Sequence, residues 1–202
     1  MITVIDYDAG NIMSVIKAFE YLGEKVLLTA DENEILNADR IILPGVGNFG
    51  DCMAELNKRD LSPVIKKAVA SGIPFMGICL GLQLMFDDSE EAQGVEGLRL
   101  LEGHVKRLPK KDDLKIPNIG WNSLDLPRES RLFEGIEDGS FVYFVHSYYL
   151  AARDEDIVCA TIDYGTRVHA AVEKDNIFGC QFHPEKSSET GLNIIRNFLK
   201  VK

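Results

Sequence analysis

The sequence predicts an α/β fold with an open, mostly parallel sheet flanked by helices and with added antiparallel strands in the second half. In the first half, short apolar runs alternate with segments that carry helix-capping residues, as βαβ units require. In the second half, apolar runs follow one another with little helical pattern between them. A chain of 202 residues can bury a substantial core, so we expect a single domain over residues 1–202.

The first half is expected to alternate strands and helices. We predict strands at Ile2–Asp6, Val26–Thr29, Arg40–Leu43 and Ile73–Ile78, and helices at 11–21, 62–72 and 80–86. Asn11 is a suitable N-cap for the first helix, and Gly23 is a suitable stop after it. Ser62 and Pro63 are residue types preferred at the N-cap and the first position of the second helix.

The second half is richer in strands. We predict them at Leu98–Leu108, Gly120–Leu126, Phe141–Leu150, Ile157–Ile162, Ala170–Glu173 and Ile177–Phe182, followed by a closing helix from Ser188 to Val201. The polar segment from Pro109 to Asp113 is expected to be an exposed loop tip. In an open α/β sheet the site lies beyond the carboxyl ends of the strands, so residues that follow strands are the first candidates for function.

Composition narrows the possible function classes. The formal net charge is −10, whereas phosphate contacts need clustered Lys and Arg, so we do not expect a nucleic-acid binder. No apolar run approaches the ~20 residues of a membrane span, and the N-terminus lacks the basic region of a signal peptide. We therefore expect a cytoplasmic protein that binds neither nucleic acid nor membrane.

The cysteines also favour a cytoplasmic protein. Cys52, Cys79, Cys159 and Cys180 form no C-x-x-C pair. Their spacing indicates neither a disulfide framework nor a zinc site, so we expect reduced thiols and no bound metal or cofactor. Three of them are interpreted as small buried apolar residues. Cys79 is different because glycines flank it on both sides.

The segment Gly77-Ile78-Cys79-Leu80-Gly81 lies between a predicted strand and a predicted helix. This pattern is similar to the nucleophile elbow of hydrolases, in which a tight turn lifts the nucleophile clear of the sheet. Glycine is needed two positions on either side because larger side chains there would collide. The turn also directs the next backbone N–H groups toward a reacting carbonyl. Cys79 is therefore the candidate nucleophile.

The segment Phe182-His183-Pro184-Glu185 supplies the groups that such a cysteine needs. A cysteine nucleophile requires a base, and the base requires a group that orients it. Residues i and i+2 of an extended segment share a face, so His183 and Glu185 can fill both roles. Cys79 and His183 both follow strands, so both can reach the same sheet edge.

The segment Gly45-Val46-Gly47-Asn48-Phe49-Gly50 matches the G-x-G-x-x-G pattern of dinucleotide-binding loops. It does not follow the first strand, Pro44 precedes the first glycine, and the next strand ends in Cys79 without an acid for a ribose. We interpret it instead as a bare backbone stretch beside Cys79. An N–H group of Val46 or Gly47 would then complete an oxyanion hole with Leu80.

Several segments together carry a resemblance to a known family. They are Asp6-Tyr7, Gly10-Asn11, Leu43–Gly47, Gly77–Gln83, Gly120–Asn122, Tyr143–Tyr148 and Phe182–Ser187. Over its whole length the chain resembles the class I, triad-type glutamine amidotransferases. It is most similar to the branch whose members are glutaminase subunits, which pass ammonia to a separate (β/α)8-barrel cyclase subunit in histidine biosynthesis. Asp8 and Asn118 depart from the family, which usually has glycine and histidine there.

The resemblance implies a role for each matching residue. Cys79, His183 and Glu185 would form the catalytic triad, and Val46, Gly47 and Leu80 the oxyanion hole. Contacts to L-glutamine would come from Gly45, Gln83, Glu91, Ser147 and Tyr148. Contacts to the cyclase partner in a heterodimer would come from Asn11, Trp121, Lys186 and Ser187. Asp tolerates the left-handed backbone region, so Asp8 should matter little, whereas Asn118 puts one local contact near the partner surface in question.

Simpler interpretations remain for individual residues. Gln83 can be a polar helix residue, Glu91 the end of a solvated acidic run, Trp121 a core residue, and His146 either structural or a pocket neighbour; His104 and His169 are expected to be structural or surface residues. For the whole chain, the alternative is a stand-alone Cys-His-Glu hydrolase of an amide or γ-glutamyl bond. A binding module without catalysis is disfavoured because the three triad residues are intact.

Overall fold

The structure is a computed structural model that describes residues 1–8, 10, 12–112 and 114–201. The strands within these ranges are β1 (Ile2–Ile5), β2 (Val26–Thr29), β3 (Arg40–Gly45), β4 (Phe75–Cys79), β5 (Asp88–Ser89), β6 (Gly103–Arg107), β7 (Asn118–Ser123), β8 (Phe141–His146), β9 (Tyr148–Ala152), β10 (Val158–Asp163), β11 (Arg167–Lys174) and β12 (Ile177–Cys180). The α-helices are α1 (Ile12–Tyr21), α2 (Glu32–Leu36), α3 (Phe49–Lys58), α4 (Leu61–Ala70), α5 (Leu80–Leu84) and α6 (Ser188–Lys200).

One large sheet organises the molecule. Its strand order is β2-β1-β3-β4-β12-β11-β9-β6-β5, and β10 pairs with β11. The run from β2 to β12 is parallel, whereas β12/β11, β11/β9, β9/β6 and β10/β11 are antiparallel. Every residue of β1, β4 and β12 is buried, as expected for parallel strands covered on both faces. This architecture confirms the predicted fold class.

The largest correction concerns the run Phe141–Leu150, which we predicted as one strand. The chain instead leaves β8 at His146, turns at Ser147 and joins the main sheet as β9. β8 pairs only with β7, in a separate two-stranded antiparallel sheet. Apolar residues continue across the turn, so sequence periodicity could not reveal that the two halves belong to different sheets.

Other predicted boundaries also shift. The predicted strand Leu98–Leu108 narrows to β6, because the backbone of Leu98 and Leu100 bonds to the end of α5 instead (Leu98 N to Leu84 O, 2.7 Å). Helix α4 begins at Leu61, and the Ser62 hydroxyl donates to Asn57 Oδ1 at 2.6 Å instead of capping the helix.

Two helices were not predicted. The side chain of Asp31 caps α2, and that of Asn48 caps α3, each by accepting two backbone N–H groups. Asp8 has a φ of 64°, consistent with the expected left-handed conformation. The predicted N-cap Asn11 lies outside the described residues. In the described part of the chain, no helix is both long enough and apolar enough to cross a membrane.

Three glycines allow α5 to start directly against the sheet. A Cβ atom on Gly45 would lie 2.7 Å from Gly81 N, and one on Gly77 would lie 2.7 Å from Gly81 C. A Cβ atom on Gly81 would overlap the carbonyl oxygen of Leu43 in β3. Between them, Cys79 has a φ of 55° and a ψ of −112°, a strained conformation for a residue with a side chain. The predicted need for glycine in this turn is therefore confirmed.

Replacing Gly81 by alanine should destabilise the protein strongly, because the added methyl meets rigid backbone. We expect Gly81→Ala to lower the free energy of unfolding by about 3 kcal/mol or more. Gly72→Ala is the matched control. Its Cβ would meet nothing within 4 Å, so only the φ of +90° opposes it, at a cost of about 1 kcal/mol. Denaturant unfolding of both variants tests this, and equal losses would contradict the steric explanation.

Candidate active site

Cys79 opens into a cavity of about 290 Å³ at the carboxyl end of β4. This volume is at the low end of the range for ligand pockets, as suits a small polar molecule. The cavity is lined by Val46, Gly47, Cys79, Leu80, Gln83, Glu91, Pro117, Val145, His146, Ser147, Tyr148, His183 and Lys186. Most of the residues predicted to form the site are therefore brought together.

His183 reaches Cys79 because β12 pairs with β4 in parallel. Cys180 is the register partner of Ile78, so the chain emerges from both strands at the same edge. The Glu185 side chain is 1% exposed, and its Oε1 lies 2.9 Å from His183 Nδ1. The carboxylate accepts a hydrogen bond from the Nδ1–H group, which leaves Nε2 as the ring nitrogen available to the sulfur.

The surroundings of His183 favour its protonated form. Burial of the ring lowers its pKa, but hydrogen bonds to Cys79 and Glu185 and their charges outweigh burial and raise the pKa to about 9. His183 is therefore an imidazolium at neutral pH. A cation beside the sulfur stabilises the thiolate, which is the nucleophilic form of cysteine.

The backbone after β3 lies beside Cys79. Gly45 is the register partner of Cys79, so Val46 and Gly47 follow directly at the cavity wall. Gly47 has a φ of +104°, and the Val46 carbonyl accepts a hydrogen bond from Cys52 Sγ at 3.6 Å. Gly45, one of the predicted substrate contacts, packs against Leu80 and Gly81 and does not line the cavity, unlike the other four predicted contacts.

Glu91 occupies the position that a phosphate would need in the dinucleotide interpretation of the 45–50 segment. Its Oε2 accepts a hydrogen bond from Phe49 N at 2.8 Å, at the N-terminus of α3. An acid there repels a phosphate from the helix N-terminus. Glu91 also lines the cavity, so it is not the end of a fully solvated acidic run.

Gln83 and Tyr148 form the opposite wall. Gln83 is 4% exposed, and its Nε2 donates to the backbone oxygen of Tyr148 at 3.0 Å. Ser147 and Tyr148 lie at the turn between the small and the large sheet, and both line the cavity. A carboxylate and exposed backbone groups on these walls suit a ligand that carries both an ammonium and a carboxylate.

His146 is a pocket neighbour and is neutral. Its Nδ1 lies 2.9 Å from the Tyr148 carbonyl oxygen, which can only accept, so Nδ1 carries the proton. Nε2 is then free to accept from Asn118 Nδ2 at 3.1 Å. Burial, together with the charge of His183, lowers the pKa of His146 to about 4. The Asn118 amide therefore supports the cavity wall through His146.

The residues predicted to contact a partner have separate locations. Trp121 is 49% exposed on β7, and its ring meets the Tyr143 ring edge-on at 6.0 Å, so it is not a core residue. Lys186 lines the cavity. Ser187 is wholly buried, and its hydroxyl donates to the His183 carbonyl at 2.6 Å, so the prediction that it faces a partner is wrong. Asn11 lies outside the described residues.

Sequence reasoning missed Gln181, Pro117 and Val145 as residues at or beside the cavity. Pro117 and Val145 line it, and Gln181 lies behind it with its amide 3.9 Å from Cys79 Sγ. Gln181 precedes His183 by two positions, so the argument from shared strand faces that selected Glu185 applied to it as well. Val145 lies within the 143–148 segment that carries the family resemblance but was given no role, and nothing in the sequence marked Pro117.

The remaining histidines and cysteines lie elsewhere. His104 forms an exposed pair with Asp88, and His169 is buried beside Ala152. Cys52, Cys159 and Cys180 are buried free thiols, and burial raises the pKa of each. Among the described residues, no group of three or more His, Cys, Asp and Glu side chains is placed to hold a metal ion.

The chain is similar to known proteins of the glutamine amidotransferase family. The family model for class-I glutamine amidotransferases matches residues 3–201. The chain is 52% identical over 201 residues to imidazole glycerol phosphate synthase subunit HisH of Bacillus cereus (strain G9842), covering 100% of this chain and 95% of the relative. The Moorella thermoacetica protein of the same name is 49% identical over 197 residues, covering 98% and 93%.

Solved structures share the fold. The structure of PurLQS from Thermotoga maritima superposes with a TM-score of 0.75 at 23% identity, covering 98% of this chain and 96% of that chain. A crystal structure of a glutamine amidotransferase gives a TM-score of 0.76 at 18% identity, covering 98% and 97%. At these identities the likeness concerns the fold alone.

Glu185→Gln should lower the pKa of His183. The amide keeps a hydrogen-bonding group at Nδ1 but removes the negative charge, so the pKa should fall from about 9 by roughly one pH unit. NMR titration of the histidine ring protons measures it directly, because the chain has only 4 histidines and His183→Gln assigns the signal. An unchanged titration of His183 would show that Glu185 acts by orientation alone.

Proposed function

Because the chain belongs to the class-I glutamine amidotransferase family, we propose that it is the glutaminase subunit of an imidazole glycerol phosphate synthase. It hydrolyses L-glutamine to glutamate and ammonia and passes the ammonia to a cyclase subunit in histidine biosynthesis. The observation that carries the proposal is the buried Cys79–His183–Glu185 arrangement at the end of two parallel strands. The full-length similarity to two named subunits of this synthase supports the substrate and the pathway.

The first half of the reaction makes a thioester. The Cys79 thiolate attacks the side-chain carbonyl carbon of glutamine, and the carbonyl oxygen becomes an oxyanion. Backbone N–H groups of Leu80 and of Val46 or Gly47 stabilise that charge. His183 gives its Nε2 proton to the amide nitrogen, the carbon–nitrogen bond breaks, and ammonia leaves.

The second half of the reaction restores the enzyme. His183, now neutral, takes a proton from water, and the hydroxide adds to the thioester carbon. The tetrahedral intermediate collapses, the carbon–sulfur bond breaks, and glutamate leaves while Cys79 returns as a thiolate beside imidazolium His183. Glu185 holds the ring orientation throughout and stabilises its positive charge.

The cavity walls provide the specificity. The Glu91 carboxylate faces the cavity with one oxygen bonded to Phe49 N, which leaves the other oxygen for the substrate ammonium. The Ser147–Tyr148 backbone would hold the substrate carboxylate, and Gln83 fixes that backbone through the Tyr148 carbonyl. A substrate that lacked either charged group would leave one of these partners unpaired, at a cost in affinity.

The ammonia must reach an acceptor on another chain. We assign that role to a (β/α)8-barrel cyclase subunit in a heterodimer, in the cytoplasm. The small sheet carries an exposed apolar surface formed by Ile119, Trp121 and Phe141, which are 61%, 49% and 57% exposed. Aromatic residues with such exposure are enriched at protein interfaces. Lys186, another residue assigned to partner contact, lines the cavity beside Cys79.

Cys79→Ala should abolish glutamine hydrolysis and leave the fold and cyclase binding intact, because it removes only the nucleophile. Loss of a nucleophile costs several orders of magnitude in turnover. Cys159→Ala, which removes a buried thiol remote from the cavity, is the control and should keep its activity. Glutamate release and co-elution with the cyclase subunit are the measurements. Turnover of the Cys79 variant above a few per cent of wild type would refute the mechanism.

Glutaminase turnover should be low in the isolated chain and rise at least about a hundredfold when the cyclase subunit and its substrate are bound. The peptide between Gly45 and Val46 can rotate at low cost, so that either a carbonyl or an N–H group faces the oxyanion. One oxyanion donor contributes about 3 kcal/mol. The measurement is steady-state turnover of the chain alone, with cyclase, and with cyclase and substrate. Equal rates in all three would favour the stand-alone hydrolase.

A further inference from the structure

Gln181 lies directly behind Cys79 and exchanges no proton and forms no bond in the proposed reaction. Its side chain is 0% exposed, one residue beyond the end of β12. Its Nε2 lies 3.9 Å from Cys79 Sγ, and its Oε1 lies 2.9 Å from Gln83 Nε2. We propose that Gln181 is a positioning residue that donates a hydrogen bond to the Cys79 thiolate and holds the sulfur for attack. The inference deepens the proposed function and rests on it.

The hydrogen-bond pattern fixes which end of the Gln181 amide faces the sulfur. The carbonyl oxygen of Tyr148 can only accept, so the Gln83 atom 3.0 Å away from it must be the NH2 group. That NH2 group has one proton left, and it is directed at Gln181, whose contacting atom must then be the oxygen. The NH2 group of Gln181 is therefore the end that faces Cys79.

The neutral N–H donor of Gln181 can stabilise the sulfur at steps in which His183 carries no charge. The charge on His183 disappears when it protonates the leaving ammonia, and it returns only when water is activated. The Gln181 amide keeps the same dipole at every step, because it exchanges no proton. It can stabilise sulfur as the attacking thiolate and again as the thiolate expelled from the thioester. Hydrogen bonds to charged groups are stronger than those between neutral groups.

The Gln181 amide is held in place by a connection to the backbone of Tyr148. The chain of contacts runs from the Tyr148 carbonyl through Gln83 to Gln181 and ends at Cys79. Gln83 and Gln181 are both buried, so water is not available to replace the hydrogen-bond partner of either amide. These contacts thus fix the position of the Cys79 sulfur relative to the Ser147–Tyr148 backbone, which would bind the substrate carboxylate.

The test uses the full chain and compares Gln181→Met, Gln181→Glu and Gln93→Glu. Met has a similar length without hydrogen-bonding groups, whereas Glu can still accept from Gln83 but places an oxygen at the sulfur. Gln93 is exposed, so Gln93→Glu controls for the change in net charge. The rate of Cys79 alkylation by iodoacetamide is followed by peptide mass spectrometry from about pH 5 to about pH 10, since only thiolate reacts.

We expect Gln181→Met to lower the alkylation rate at neutral pH about tenfold and to move its pH midpoint upward. Gln181→Glu should move the midpoint further, and Gln93→Glu should match wild type. In the complex with cyclase, Gln181→Met should lower kcat with little change in KM. Gln83→Met leaves Gln181 in place but removes the donor that orients it, so its midpoint should also rise, whether or not the Gln181 variants fold.

Two outcomes separate this inference from the proposed function. Midpoints equal to wild type in the folded Gln181 and Gln83 variants would overturn the role of Gln181, even if melting temperatures fell. Absence of glutaminase activity in the wild-type complex would overturn the proposed function instead. The alkylation profile needs no substrate, so it reports on the contact between Gln181 and Cys79 in either case.

Discussion

The close approach of α5 to the ends of β3 and β4 is the constraint on which the rest of the site depends. Bare glycine backbone at positions 45, 77 and 81 lets the helix start within contact distance of two strands. The strained turn at Cys79 is the result, and it places the sulfur above the sheet with the N-terminus of a helix behind it. The pairing of Gly45 with Cys79 then aligns the backbone of Val46 and Gly47 beside the nucleophile.

The pKa values of two buried histidines near this turn are shifted in opposite directions by their surroundings. His183 meets a thiol and a carboxylate, and its pKa rises to about 9 despite burial. His146 meets a carbonyl and an amide, which give burial no opposing charge, and its pKa falls to about 4. The site therefore holds one imidazolium and one neutral imidazole at neutral pH. The positive charge is confined to the ring that is hydrogen-bonded to Cys79 and Glu185.

The sequence was sufficient for the parts of the site that depend on local patterns. The glycine spacing around Cys79 and the two-residue spacing of His183 and Glu185 predicted geometry that the structure contains. The sequence did not predict features that depend on which distant segment a residue pairs with. The 141–150 run divides between two sheets at Ser147, and Ser187 turns inward, where its hydroxyl bonds to the Tyr143 N–H and the His183 carbonyl. The spacing of apolar residues along the sequence does not show which distant segments pair.

That inward turn of Ser187 attaches His183 to the small sheet. Its hydroxyl bridges the carbonyl of His183 and the N–H of Tyr143, at 2.6 and 2.9 Å. The His183 N–H in turn donates to the Tyr143 carbonyl at 2.9 Å. The histidine main chain and β8 thus form one mechanical unit, and Trp121 packs on the same tyrosine. The aromatic surface of this sheet therefore has a direct path of contacts to His183, through the Tyr143 ring and the hydrogen bonds of the Tyr143 main chain.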